Sequence, residues 1–127
     1  MLWFFPAIVV LVLCLFLWWK FRRRGLSASS KKKIASQWQT VLNHDDPHRR
    51  LLEADAVLGH LLKELGHAGS VADQLRSAQS IIPGLQDVWA AHKLRNRIAH
   101  EPGIGLTDAE VSRAIQAFNR VIRKFCP

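Results

Sequence analysis

The chain has 127 residues, of which 49% are apolar, and it carries 18 basic and 10 acidic side chains. Once an apolar N-terminal segment is set aside, this length leaves room for one small domain and excludes a second. Seven of the basic residues lie between positions 20 and 33, whereas residues 34–127 carry 11 basic and 10 acidic side chains, a net charge of +1. This near-neutral charge argues against a dedicated nucleic-acid-binding domain.

The first segment, residues 2–19, contains no charged side chain. As a helix rising about 1.5 Å per residue it would extend roughly 27 Å, close to the hydrocarbon thickness of a bilayer. Aromatic residues lie at both of its ends, as in interfacial belts. A cleaved signal peptide would need a positively charged start, a shorter apolar core and a small-residue cleavage site, none of which is present. Residues 1–20 are therefore predicted to form one transmembrane anchor.

Basic residues follow this segment and none precedes it. The positive-inside rule then predicts that residues 21–33 are a basic juxtamembrane linker and that residues 34–127 lie in the cytoplasm. This topology is that of a single-pass protein of the inner (cytoplasmic) membrane. Membrane lipid is a predicted partner, and the linker could also recognise anionic lipid. Cys14 lies in the apolar segment and Cys126 next to the C-terminus, so no structural disulfide is expected.

The rest of the chain shows helical periodicity and few alternating runs, which predicts an all-α fold. Asp46 and Pro47 are typical of a helix start, and the pairs Ser70 with Asp73 and Thr107 with Glu110 are typical of capping boxes. We expect an antiparallel bundle of four helices, with a fifth, the first in the chain, that packs on the bundle or bridges it to the anchor. The expected helices span residues 31–42, 47–66, 70–82, 85–100 and 107–125.

Polar side chains interrupt the apolar face of the predicted helix at residues 85–100. At 100° per residue, His92, Arg95 and Asn96 fall within the apolar arc, and His100 lies at its edge. Burying such groups costs a few kcal/mol each unless partners satisfy them. The candidate partners are acids of the helix at residues 47–66: Glu53, Asp55 and Glu64.

Two interpretations of this cluster are open. In the first, Arg95 forms a buried ion pair with one of those acids while His92 and Asn96 hydrogen-bond within the bundle. In the second, the same side chains line a cleft. A metal site is not favoured, because His92 and His100 are about 12 Å apart along the helix and Pro102 interrupts the helix that an H-E-x-x-H site needs. Neither a metal nor a cofactor is predicted.

Residues 95–100 read R-N-R-I-A-H, which matches the R-N-x-x-x-H form of the motif found in HEPN domains. The order of helices from about Pro47 to Phe125 also resembles the HEPN bundle, and the whole stretch is similar to small single-span bacterial membrane proteins. HEPN ribonucleases are metal-independent dimers in which two copies of the motif build one site. The superfamily also contains non-catalytic members that bind nucleotides, pair with partner proteins or only dimerise.

The resemblance implies a role for each motif residue. Arg95 would hold the scissile phosphate, His100 would act as general acid or base while the ribose 2′-hydroxyl attacks, and Asn96 would orient them. The supporting residues would be His92, Glu53 and Asp55.

Two functions are therefore predicted. The first is a membrane-anchored cytoplasmic interaction module that forms a homodimer or docks a cytoplasmic partner protein, with the polar cluster as a structural network. The alternative is a metal-independent endoribonuclease that uses Arg95, Asn96 and His100 at a dimer interface. The low net charge past residue 33 favours the first over RNA binding.

Overall fold

The computed structural model describes residues 2–22, 25–101 and 103–127, without the side chains of Phe21 and Arg22. These residues contain no strand, which confirms the all-α prediction. Arg23 and Arg24 of the predicted linker lie outside the described residues, as does Pro102. The described helices are α1 (Phe4–Arg22), α2 (Ala28–Leu42), α3 (Pro47–Glu64), α4 (Val71–Ser77), α5 (Leu85–His100) and α6 (Asp108–Phe125).

The prediction that residues 1–20 form a transmembrane anchor was wrong. Over the part of the chain that the structure describes, no helix has the length and apolar character needed to cross a membrane. Leu2 and Trp3 form a turn and the helix begins only at Phe4, so its uncharged part ends at Trp19 and measures about 24 Å, short of the roughly 30 Å of bilayer hydrocarbon. This finding contradicts the N-terminal transmembrane helix, the single-pass topology and the inner-membrane location.

Side chains cap the helices because the first amides of a helix have no partner within it. Asp46 accepts a hydrogen bond from the amide of His48, and Pro47 occupies the first turn of α3. Both predicted capping boxes are present, at the start of α4 and of α6. Ser27 caps α2, which therefore begins three residues before the predicted start at Lys31.

The capping box of α6 makes its stability sensitive to acid. The amide of Thr107 donates to Oε2 of Glu110 at 2.9 Å, and this hydrogen bond lowers the pKa of Glu110 below its ordinary value of 4.5. A carboxylate with a lowered pKa in the folded state stabilises the fold above the unfolded pKa, and the contribution is lost as pH falls through the folded pKa. The melting temperature of the wild type should fall as the pH drops below 4.5, and we expect this fall to be smaller for Glu110→Gln. Glu101→Gln, at an exposed residue outside the box, is the control, and equal acid sensitivity of both variants and the wild type would contradict this.

The core is centred on α3, which contacts α2, α4, α5 and α6. Helix α2 also contacts α6, where the indole nitrogen of Trp38 donates to Oδ1 of Asn119 at 2.9 Å. The first helix after α1 thus packs on the bundle, a placement that the sequence left open. Among the described helices α1 contacts none of the others. The largest fully buried side chains include Ile34, Leu51, Leu58, Leu61, Leu62, Leu75 and Phe118.

Candidate functional site

Asp55 on α3 is the acid that pairs with the polar side chains of α5. Its side chain is buried, and Oδ1 lies 2.7 Å from Nδ1 of His92, which is buried as well. Because a carboxylate only accepts hydrogen bonds, Nδ1 of His92 is the donor. The other oxygen, Oδ2, lies 3.5 Å from Nε of Arg95. Both carboxylate oxygens therefore have partners on α5, three positions apart and on one face of the helix.

Asn96 closes these contacts into a ring. Nη1 of Arg95 donates to Oδ1 of Asn96 at 3.2 Å, and Nδ2 of Asn96 lies 3.3 Å from Nε2 of His92. Since Nδ1 of His92 carries a proton toward Asp55, Nε2 is the ring nitrogen that accepts in the neutral imidazole. Three hydrogen bonds and one ion pair thus connect Asp55, His92, Asn96 and Arg95 into a ring, which we call the polar network. The first interpretation of the cluster, an ion pair of Arg95 with an acid of the neighbouring helix, describes this arrangement.

The burial of the polar network is uneven. The side chains of Asp55 and His92 are 4% and 9% exposed, whereas that of Arg95 is 34% exposed. Nε of Arg95 is itself buried and makes no hydrogen bond within the described chain, so Oδ2 of Asp55 is its charged neighbour. A guanidinium has five N–H donors, and within the polar network only Nη1 donates a hydrogen bond, to Asn96. The outer edge of Arg95 therefore remains available to a ligand or a partner.

Glu53 and Glu64, the other two candidate acids, lie outside the polar network. Glu53 contacts His44 and pairs with Nε of Arg49 at 2.9 Å, and the hydrogen bond from Arg49 is the main reason that the pKa of Glu53 is lowered. Glu64 lies 3.4 Å from the imidazole of His60. The predicted supporting role of Glu53 beside the motif therefore has no counterpart in these contacts.

His100 is separate from the network. It lies in the last turn of α5, where it is exposed and makes no hydrogen bond or ion pair with residues that the structure describes. Five positions separate it from Arg95, which corresponds to about 7.5 Å along the helix and a rotation of about 140°. The structure thus joins two of the three motif residues, Arg95 and Asn96, and leaves His100 apart within one chain.

Two further side chains lie beside the polar network: Trp89 of α5 contacts His92, and Arg76 of α4 in turn contacts Trp89. The ring of Trp89 meets that of His92 edge-on, with centroids 6.1 Å apart, and the guanidinium of Arg76 lies 5.7 Å from the Trp89 centroid. Sequence reasoning missed the contact of Arg76 with Trp89. An exposed arginine on a separate short helix carries no sequence signal that it will stack on this ring.

The geometry defines an all-helical protein in which a ring of polar side chains joins α3 to α5. Within residues 2–22, 25–101 and 103–127, no group of three or more metal-ligating side chains is close enough to hold an ion. No protein-family model, curated protein or solved structure matches the chain. The resemblance to HEPN domains therefore stays a prediction that rests on residues 95–100 and the order of helices.

Proposed function

We propose that the chain is a helical interaction module that forms a homodimer through the surface of α5 around Arg95, Asn96 and His100. The polar network is the observation that supports this function most directly. Asp55 holds Arg95 within one chain, so the guanidinium is less free to bind the phosphate of a substrate. Its outer edge and the imidazole of His100, which has no hydrogen-bond partner among the described residues, remain exposed and can hydrogen-bond to a second copy.

Homodimerisation is favoured over other partners by the HEPN resemblance, which implies that two copies meet at this motif. A two-fold interface brings the same patch of both copies together. His100 would then lie close to the second copy's α5. Because residues 34–127 carry a net charge of only +1, the electrostatic repulsion between two copies is small.

Site-specific cross-linking tests this interface in the full chain. In a Cys14→Ser background the only natural thiol is the buried Cys126. We expect His100→Cys to give a covalent dimer with a short bis-maleimide. Gln39→Cys is the matched control, because it is exposed on α2, which does not contact α5. Cross-linking of both variants to the same extent, or of neither, would overturn the proposed interface.

The second candidate function is the metal-independent endoribonuclease, and the exposure of His100 favours it. Its imidazole makes no hydrogen bond or ion pair with the described residues, and an imidazole can both accept and donate a proton during RNA cleavage. Arg95 and His100 do not converge in one chain, so this reaction would need the same dimer, with Arg95 of one copy beside His100 of the other.

Cleavage of RNA by the full chain in EDTA tests the second candidate. If the chain cleaves RNA, we expect His100→Ala to lower the cleavage rate by at least about 100-fold, the lower end of the usual contribution of general acid–base catalysis. His67→Ala, at a histidine whose imidazole hydrogen-bonds to Ser77 near the surface, should leave it unchanged. An absence of cleavage by the wild type, or cleavage that survives His100→Ala, would exclude this function.

A further inference from the structure

A groove of about 520 Å³ lies between α5 and α6, away from the polar network. Leu94 lines the groove and Asn96 belongs to the network, and two positions on a helix are about 200° apart, so the two features lie on opposite sides of α5. Small and apolar side chains form the floor of the groove: Ala90, Ala91, Leu94 and Ala114.

Positive charge is concentrated along this groove. Lys93, Arg97 and Arg113 line it, and none of the three forms a hydrogen bond or an ion pair within 4 Å in the described chain, although the charges of Arg97 and Arg113 help to lower the pKa of Glu110. Its two acids are already engaged, Asp87 by Arg120 at 3.1 Å and Glu110 by the capping box. With four basic and two acidic side chains, the groove carries a net charge of +2, more than the +1 of residues 34–127 as a whole.

We propose that this groove binds an acidic amphipathic helix of a partner protein. A helix lying in a groove buries its apolar stripe and uses flanking charges for specificity. The alanine floor lets a second backbone approach closely. Lys93 and Arg97 are four positions apart, so their charges are about 6 Å apart along the axis and match two carboxylates one turn apart on the bound helix.

Two other occupants fit the groove less well. Single-stranded nucleic acid gains much of its affinity from stacking on aromatic rings, and none of the described residues that line the groove is aromatic. A second copy of this chain is disfavoured because no helix within the described residues carries two acids three or four positions apart. The acidic helix therefore belongs to a different protein.

Fluorescence anisotropy with a designed peptide tests the proposal on the full chain. The probe is an 18-residue labelled helix with a Leu/Ala stripe and flanking glutamates, and its counterpart has lysine at each glutamate. We expect saturable binding of the acidic peptide alone, weakened about tenfold or more by the double reversal Lys93→Glu and Arg97→Glu. The double reversal Lys32→Glu and Lys33→Glu on exposed positions of α2 changes net charge equally and should leave affinity unchanged.

A neutral variant separates shape from charge. Ala90→Gln fills part of the floor without altering charge and should weaken the acidic peptide severalfold. The proposal is overturned if both peptides bind equally, if the α2 reversals weaken binding as much as the groove reversals, or if a single-stranded RNA of similar length competes for the groove with higher affinity. Cross-linking of His100→Cys is measured without these substitutions, so failure here leaves the result at the dimer interface independent.

Discussion

Asp55→Ala is expected to lower the free energy of unfolding by about 3 kcal/mol. The substitution leaves His92 without its buried acceptor and Arg95 without its counter-charge, and loss of one member of a buried ion pair costs about 3–5 kcal/mol. The lower end applies because Arg95 is 34% exposed and water can solvate part of its guanidinium. Urea unfolding of the full chain, followed by circular dichroism, measures the change.

Three further variants show whether the polar network accounts for this loss of unfolding free energy. Asp55→Asn keeps an acceptor for His92 but removes the charge, so its effect should be smaller. Arg95→Ala should also cost less than Asp55→Ala, because Asp55 keeps His92 as a partner. Glu53→Ala removes an acid whose partners His44 and Arg49 lie closer to solvent, and it should have the least effect. If Asp55→Ala is no more destabilising than Glu53→Ala, the network does not hold α3 and α5 together.

The helix boundaries could be predicted from the sequence where they depend on contacts within about four residues. Asp46 before Pro47 and the box of Thr107 with Glu110 are such signals, and the structure has both. The predicted end of α4, near Ile82, was wrong by several residues, because the helix ends at Ser77. The Ser77 hydroxyl donates to the carbonyl of Gln74, which competes with the backbone hydrogen bonds of a continuing helix.

The site could be predicted only in part, because it combines one helix with its neighbour. Periodicity placed His92, Arg95 and Asn96 on one face of α5, but the choice of acid depended on the rotation of α3 about its axis. A signal for Asp55 was nonetheless present. It lies four residues after Leu51 and three before Leu58, in the buried stripe of α3.

The motif alone could not show whether His100 and Arg95 act at one site. The spacing fixes about 140° of rotation between them, which is unsuited to one shared ligand in a single chain. A composite site of two copies removes that difficulty, and this is why the dimer is the first property to measure. Activity without a dimer would require a different arrangement of the same residues.

Trp38→Ala is the second variant with a large expected effect, and it should lower the free energy of unfolding by about 3–5 kcal/mol. Trp38 is buried where α2 meets α3 and α6, and truncation of a buried tryptophan leaves a cavity of that cost. Trp38→Phe keeps most of the ring and loses the hydrogen bond to Asn119, so it should cost about 1 kcal/mol plus a small packing loss. Leu42→Ala, at an exposed residue of the same helix, should change stability by less than about 1 kcal/mol.

The shape of the unfolding curve for Trp38→Ala carries a separate test. Only Ile34, Trp38 and Val41 of α2 are buried, so α2 has few contacts to replace the lost ring. If α2 is an integral part of the bundle, chemical unfolding should remain a single transition at a lower midpoint. A wild-type midpoint, or an early partial transition that leaves the main one unchanged, would show that α2 is dispensable to the core and contradict its placement against α6.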